Sequence, residues 1–188
     1  MTANPRRPTP LSVSLSCART LAERGTAAVT VRELAQAAGV SERTFYRMFA
    51  TKEESLHPFL DEGNRVLAEA LAARPDEGGV AAGVAAAFSI ALRTDFRLRA
   101  SALMPVVFGD PALRRVWQAV SFDTATRIHA DVARLSGREA ADPAAWVATG
   151  RVVVAIITAL TAVISSGAEP EEAIRVALRA ADEPLDRT

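Results

Sequence analysis

Residues 29–52 constrain the fold more than any other part of this chain. Thr30 is followed three residues later by Glu33, which is the spacing of a capping box that opens a helix. Gly39 ends the apolar pattern of that helix and predicts a residue with positive φ in a tight turn. Ser41 then provides the cap of a further helix. The stretch therefore predicts two short helices joined by a glycine turn, as in a helix-turn-helix.

The second of these short helices has one apolar face and one polar face. Phe45 and Phe49 lie four residues apart, so both are predicted to point into a core. The other face carries side chains that can contact DNA: Glu42, Arg43, Thr44, Tyr46 and Arg47. Arginine in the first turn can read guanine, and hydroxyl groups can bind phosphate oxygens. Thr30 and Lys52 are predicted to lie at helix N-termini, which attract anions.

The rest of the chain also predicts helices and no strand, so the fold class is all-α. Thr51 with Glu54 forms another capping box, and proline after aspartate marks two later helix starts. The predicted helices cover about Leu11–Arg24, 31–38, 41–49, 52–74, 76–94, 96–104, 111–135, 143–165 and 170–181. Residues 1–10 are predicted to be a disordered arm, 11–51 a helix-turn-helix domain, and 52–188 a larger helical bundle.

Composition excludes several classes of protein. The chain of 188 residues has no net charge, but its first 55 residues carry eight basic and five acidic side chains, a modest bias toward a nucleic-acid partner. Cys17 is the only cysteine, which rules out an intrachain disulfide and fits a reducing cytoplasm. The apolar run Val152–Ile164 is too short to span a bilayer. No catalytic or metal-binding motif is present, so neither an enzyme nor a cofactor is expected.

The segment Leu15–Leu56 resembles the N-terminal domain of the TetR family of bacterial transcriptional regulators. The residues that carry the resemblance include Ala38-Gly39-Val40-Ser41, Phe45-Tyr46 and Lys52-Glu53. The resemblance implies about nine helices, a homodimer formed by the last two long helices, and a ligand cavity in the C-terminal domain. The residues of the polar helix face and the positions that match the family's DNA contacts together give the predicted interface with DNA: Thr30, Arg32, Ser41, Glu42, Arg43, Thr44, Tyr46, Arg47 and Lys52.

Two departures from the family pattern affect this interface. Glu42 is acidic where the helix meets DNA, so it either accepts from a cytosine amino group or pairs with a neighbouring arginine. Met48 stands where the family often has a polar residue, so a contact there would be apolar. The competing interpretation of the whole set is a solvated helix face in an ordinary three-helix unit.

Bulky side chains on the alanine-rich C-terminal helices either fill the core or line a pocket for an apolar effector. They are Phe88, Phe96, Met104, Phe108, Trp117, Phe122 and Trp146. Apolar residues at helical spacing in the predicted helix 143–165, together with two residues of the last helix, predict the dimer interface. They are Val153, Ile157, Leu160 and Ile164, with Ile174 and Leu178 from the last helix.

The sequence thus predicts a cytoplasmic, ligand-responsive regulator. It binds a palindromic operator in double-stranded DNA as a homodimer, and a small apolar effector releases it, as in a repressor. The alternative function is a helical small-molecule-binding or interaction protein that does not bind DNA.

Overall fold

The computed structural model of the chain describes residues 7–75, 78–92 and 94–183, and the side chains of 93–99 lie outside this description. Within those residues the backbone forms nine α-helices and no strand, which confirms the predicted fold class. The helices are α1 Pro10–Arg24, α2 Val31–Ala37, α3 Glu42–Met48, α4 His57–Ala72, α5 Gly79–Ala91, α6 Thr94–Gly109, α7 Pro111–Leu135, α8 Pro143–Ser166 and α9 Pro170–Asp182. A short 3₁₀ turn, Glu53–Leu56, precedes α4.

Contacts between residues divide the chain into two compact units. The first contains the residues up to Asp61 together with Ala102–Trp117, and the second contains Glu62–Ser101 and the residues from Gln118 onward. The domain boundary predicted at residue 52 therefore falls inside the first unit.

The first unit has an aromatic and leucine core. Its fully buried side chains come from α1, α2, α3, the 3₁₀ turn, α4 and the Ala102–Trp117 segment, and include Val13, Leu34, Phe45, Leu56, Phe59, Leu103, Met104 and Val107. Burial of side chains of this size is the main stabilising term in a small domain.

The second unit is built around α8, whose buried face contacts α9 and the middle of α7. Its core includes Leu71, Val84, Phe88, Ile128, Val132, Ala159 and Ile174, each at most 2 % exposed. Helix α9 packs against both α5 and α8, and the alanines on those two helices let it approach closely.

The starts of α1 and α4 differ from the prediction, as do those of α5, found at Gly79, and α6, found at Thr94. Pro10 is the first residue of α1 and Thr9 is its N-cap, so the predicted arm is shorter by that residue; residues 1–6 of the arm lie outside the description. The backbone N–H of Glu54 donates to Thr51 Oγ1 over 3.2 Å, but this contact opens the 3₁₀ turn rather than α4. The α-helix begins at His57, with Pro58 in its first turn, where proline is tolerated.

Helix α6 is longer than predicted. The predicted helix ends at Met104, but the helix in the structure continues through Pro105 to Gly109, although proline disfavours a helix interior. Pro105 is exposed, while its neighbours Leu103, Met104, Val106 and Val107 are buried. Burial of these four side chains outweighs the roughly 3 kcal/mol that an internal proline costs.

Helix α8 extends well beyond the apolar run Val152–Ile164, which is by itself too short for a bilayer. It has 24 residues and contains a window of mean hydropathy 2.1, so by length and composition it could cross a membrane. One such helix is weak evidence for a membrane span, because core helices of globular proteins have the same properties. Its face with Val152, Ala155, Ala159 and Val163 lies in the core of the second unit.

Candidate nucleic-acid interface

The start of α2 is fixed by the predicted capping box. The backbone N–H of Glu33 donates to Thr30 Oγ1 over 3.2 Å, and Glu33 Oε2 accepts from the Thr30 backbone N–H over 2.9 Å. The Thr30 hydroxyl also donates to Glu33 Oε2 over 2.7 Å. These bonds, with a smaller contribution from the charge of Arg24, hold the pKa of Glu33 below its ordinary value. Thr30 therefore positions the helix and stays exposed at its N-terminus.

The turn between α2 and α3 depends on Gly39. Its φ of 67° lies in the left-handed region that favours glycine. The backbone N–H of Val40 donates to Ala35 O over 2.9 Å and that of Gly39 to Gln36 O over 3.1 Å. These bonds close the end of α2 and set the direction in which the chain enters α3.

Helix α3 is anchored by its two phenylalanines, as predicted. Phe45 has no exposed surface and Phe49 only 5 %, and their ring centroids lie 5.2 Å apart in an edge-to-face arrangement. Ser41 caps the helix by accepting from the Thr44 backbone N–H over 3.1 Å, and its hydroxyl lies 3.0 Å from that of Thr44. The anchored face leaves the opposite face of α3 in solvent.

The outward face of α3 carries the side chains that the sequence predicted for DNA contact. Ser41, Glu42, Arg43, Tyr46 and Arg47 are exposed, Tyr46 by 55 %, and Thr44 is half-buried. The exposed ring of Tyr46 packs edge-on against Phe45, with centroids 6.0 Å apart, which orients its hydroxyl. A helix that enters a DNA groove needs an exposed polar face for the bases and a buried face that holds it in its domain, and α3 has both.

Cationic side chains on this surface are available for an anionic partner. Arg32, Arg43 and Arg47 are exposed and form no ion pair with any side chain that the structure describes. Glu42 likewise forms no ion pair with any described side chain, so the predicted alternative of a pair with a neighbouring arginine is not found among them.

Lys52 has a different environment from the one predicted. It precedes the 3₁₀ turn instead of opening a long helix, and its Nζ donates to the backbone carbonyls of Ala27 and Val29 over 2.9 and 3.3 Å. Nζ also lies 3.9 Å from Glu53 Oε1. The ammonium thus ties the loop before α2 to the residues after α3. Because an ammonium has three N–H donors, one remains for a phosphate.

The buried hydroxyl of Ser14, behind the interface, is not predicted from the sequence, whereas the burial of Cys17 is. The Ser14 hydroxyl, fully buried in α1, accepts from the Phe59 backbone N–H over 2.9 Å. Cys17 is buried beside Ser55, and its burial raises the pKa of the thiol, as expected for an inert cysteine. The sequence did contain a signal for this burial. Ser14 and Cys17 lie at helical spacing with the apolar Leu21, so all three share the buried face of α1.

The aromatic set predicted for a ligand pocket is spread over both units. Phe88 lies in the core of the second unit, whereas Met104 is buried in the first and Phe108 packs edge-on against Trp117, with centroids 5.0 Å apart. Phe122 is 79 % exposed, and the side chain of Phe96 lies outside the description. Trp146 is half-exposed and stacks on the buried ring of His129, with centroids 3.6 Å apart.

A groove in the second unit lies elsewhere, along α5, α8 and α9. Its volume is about 1030 Å³. Its floor is apolar and alanine-rich, with Ala82, Ala85, Ala148, Val152 and Leu178, and its rim carries Arg138, Arg151, Arg175 and Arg179. Arg151 pairs with Asp182 across the rim over 3.4 Å. In the described part of the chain no group of three or more His, Cys, Asp or Glu side chains could hold a metal ion.

The stripe predicted for a dimer interface lies on the flank of α8. Val153, Ile157, Leu160 and Ile164 are half-buried, as is Leu178 of α9. Ile174 has no exposed surface because it fills the core of its own unit, so it offers no surface to a second subunit. The large apolar side chains of α8 and α9 that are about half exposed or more are Trp146, Val147, Val154 and Val176.

Comparisons with known proteins agree with this geometry. Residues 17–56 match the family model described as bacterial regulatory proteins, tetR family. No curated protein matches the chain significantly. A transcriptional regulator from Rhodococcus sp. Rha1 superposes with a TM-score of 0.60 at 23 % identity, covering 92 % of this chain and 95 % of that one.

Two further solved structures share the fold. A tetR-family transcriptional regulator from Streptomyces coelicolor has a TM-score of 0.61 at 18 % identity, with 96 % of this chain and 80 % of that chain covered. The multidrug binding protein EbrR, solved in complex with imidazole, has a TM-score of 0.62 at 23 % identity, with 98 % and 100 % covered. The chain therefore carries the helix-turn-helix domain of the bacterial regulatory proteins of the tetR family, within the fold of solved TetR-family regulators.

Proposed function

We propose that the chain is a transcriptional regulator that binds a palindromic operator as a homodimer through α3 and acts as a cytoplasmic repressor without catalysis. One observation carries the proposal: α3 is anchored by two buried phenylalanines while Arg43, Tyr46 and Arg47 on its other face are exposed. Recognition helices present their reading residues in this way, and phosphate contacts from Thr30, Arg32 and Lys52 would fix the register.

Dimerisation belongs to the same proposal. One short helix reads only a few base pairs, and a two-fold symmetric pair reads two half-sites one or more helical turns apart. Helices α8 and α9 support this role, because they pack closely on each other and leave Val147, Val154 and Val176 exposed. A symmetric dimer uses the same surface of both subunits, so a palindromic operator follows.

Effector release completes the proposal. The groove along α5, α8 and α9 supports it better than the dispersed aromatic set, because its apolar floor and volume of about 1030 Å³ suit a small apolar molecule. In this proposal the effector binds the second unit and lowers the operator affinity of the first.

Selection of bound sequences from a random pool of double-stranded DNA tests the operator proposal. We expect an enriched inverted repeat whose half-sites are separated by about one helical turn. Arg43→Ala should lose preference at one position of each half-site, at a cost of about 1–3 kcal/mol per base contact. Arg65→Ala, which removes an arginine paired with Glu62 and Glu69 in the second unit, should enrich the wild-type sequence.

Two results would count against the proposal in different ways. Failure of the wild-type protein to enrich any sequence at low salt would favour the helical binding protein without DNA recognition. An unchanged preference in Arg43→Ala would keep DNA binding but remove Arg43 from the base contacts.

A further inference from the structure

The groove along α5, α8 and α9 has an excess of positive charge at its rim. Four arginines line it, but only two carboxylates do. One of these, Glu171, accepts a hydrogen bond from Arg175. The other, Asp182, accepts from Arg151 over 3.4 Å. The rim therefore keeps two further arginines whose charge no carboxylate of the groove balances: Arg138 and Arg179.

Both of these arginines have their partners outside the groove lining. Arg138 pairs over 3.2 Å with Asp142, which also caps α8 by accepting from the Ala144 backbone N–H. Arg179 pairs with Glu172 over 3.4 Å, a contact in solvent in which the two side chains are 71 % and 62 % exposed. Such exposed pairs contribute little to stability, and a guanidinium has five N–H donors. Arg179 can therefore share or exchange its partner for an anion in the groove.

The floor beside Arg179 is suited to an apolar tail. Leu178 precedes Arg179 in α9 and lines the groove together with small apolar side chains of α5 and α8, among them Ala82, Ala85, Ala148 and Val152. The short alanine side chains leave room above them, and the groove has a volume of about 1030 Å³. Covering such a surface with hydrocarbon removes apolar area from water, which is favourable. A molecule that satisfies both parts of the groove has an apolar tail and an anionic head.

We propose that the effector of this groove is a small anionic amphiphile, a carboxylate with an apolar tail, and that Arg179 binds its head. This inference rests on the proposed effector release and specifies the chemical class of the effector. A guanidinium binds a carboxylate through two parallel N–H donors, and the pair is stronger beside an apolar surface than in open water. A cationic amphiphile would instead meet the excess of arginine, and a neutral one would give Arg179 no new partner.

Isothermal titration calorimetry of the full chain without DNA tests the class of ligand. The probes are decanoate, decanol and decyltrimethylammonium, which share the length of their tail and differ in the charge of their head. Each is kept below the concentration at which it forms micelles or separates from water. We expect decanoate to bind about tenfold more tightly than either other probe, the factor that one charge-assisted contact supplies. Added salt should weaken the binding of decanoate but not that of decanol.

Two substitutions with opposite effects identify the contact to the head. Arg179→Gln should raise the dissociation constant of decanoate about tenfold, since it removes the charged donor. Glu172→Gln should lower it by up to about fivefold, because Arg179 loses its competing carboxylate. The control Arg65→Gln removes a paired arginine of α4 that does not line the groove, and it should leave the constant unchanged. Circular dichroism shows whether each variant keeps its helices.

The outcomes separate this inference from the proposed function. Decanoate that binds no more tightly than decanol, or a chain that binds none of the three probes, would overturn the inference. Equal decanoate affinity in Arg179→Gln and the wild type would overturn it as well. Operator release is measured separately, by adding decanoate to the complex of the chain with its selected DNA. Decanoate that binds with the expected pattern but leaves this complex intact would support the ligand class and overturn effector release alone.

Discussion

A single buried hydroxyl joins α1 to the start of α4. The first backbone N–H groups of any helix lack a partner within that helix, and Phe59 is in the first turn of α4. Ser14 of α1 accepts from that N–H over 2.9 Å, and both residues are almost completely buried. The cap of α4 is thus supplied by a residue 45 positions earlier in the chain. This bond fixes α1, and with it the platform of the helix-turn-helix, against α4.

Ser14→Ala should therefore destabilise the first unit. The substitution removes the buried hydrogen bond from the Phe59 N–H to the Ser14 hydroxyl, a loss of about 0.5–1.5 kcal/mol. Urea unfolding should give a lower free energy of unfolding. The control Ser16→Ala removes a hydroxyl of the same helix that bonds only the Ser12 carbonyl at the surface, over 3.2 Å, and should change stability little. Equal stability of Ser14→Ala and Ser16→Ala would mean that water or a small shift of α4 satisfies the Phe59 N–H.

At the scale of elements, α2 depends on its first residues because it has only seven. So short a helix gains little from its own backbone bonds. The Glu33 carboxylate accepts from Thr30, and these bonds lower its pKa. A carboxyl group whose pKa is lower in the folded state stabilises the fold above its unfolded pKa. That contribution is lost as the pH falls through the folded pKa.

Replacing the carboxylate should make stability less dependent on pH. Glu33→Gln should unfold more readily than the wild type at pH 7, because the amide is a weaker acceptor for the Thr30 N–H. The difference should shrink as the pH falls below the ordinary value of 4.5 and the wild-type carboxyl group is protonated. The control Glu23→Gln lacks a capping role and loses only an exposed contact to Arg19. A difference that is constant from pH 7 to acid would exclude the charge as its cause.

The sequence predicted elements well where local chemistry decides them. Thr30 with Glu33, Gly39, and aspartate before proline at 111 and 143 each act over a few residues, and each marks the helix boundary found in the structure. Helix α6 was predicted too short because its continuation through Pro105 depends on burial of Leu103 and Val107. That burial is a tertiary effect, which the sequence around a proline does not reveal.

At the scale of the whole molecule, the same reasoning succeeds for α3 and is less informative for α8. In α3 the apolar residues occupy one face, so Phe45 and Phe49 identify the buried side without a structure. Helix α8 is apolar nearly all round, so periodicity alone does not distinguish its core, its flank and its exposed face. The predicted stripe Val153–Ile164 lies on the flank, and only the exposures of Val147 and Val154 reveal the outer face.

Lys52 links the stability of the first unit to the salt dependence of operator binding. Its Nζ holds the loop carbonyls of Ala27 and Val29 and keeps one donor for a phosphate. Each neutralised phosphate releases counterions, so a dimer with one such contact per half-site should lose about two units of salt slope in Lys52→Ala. Operator affinity measured across a range of salt concentrations gives this slope.

Lys52→Arg separates the two roles, because it keeps the charge while altering the bonds to the loop carbonyls. We expect the arginine variant to retain the wild-type slope and the alanine variant to lose it. Lower affinity in Lys52→Ala with an unchanged slope would instead assign Lys52 to positioning the loop before α2. In that case thermal unfolding of the variant should show the same loss without DNA, since the two carbonyl bonds exist in the free protein.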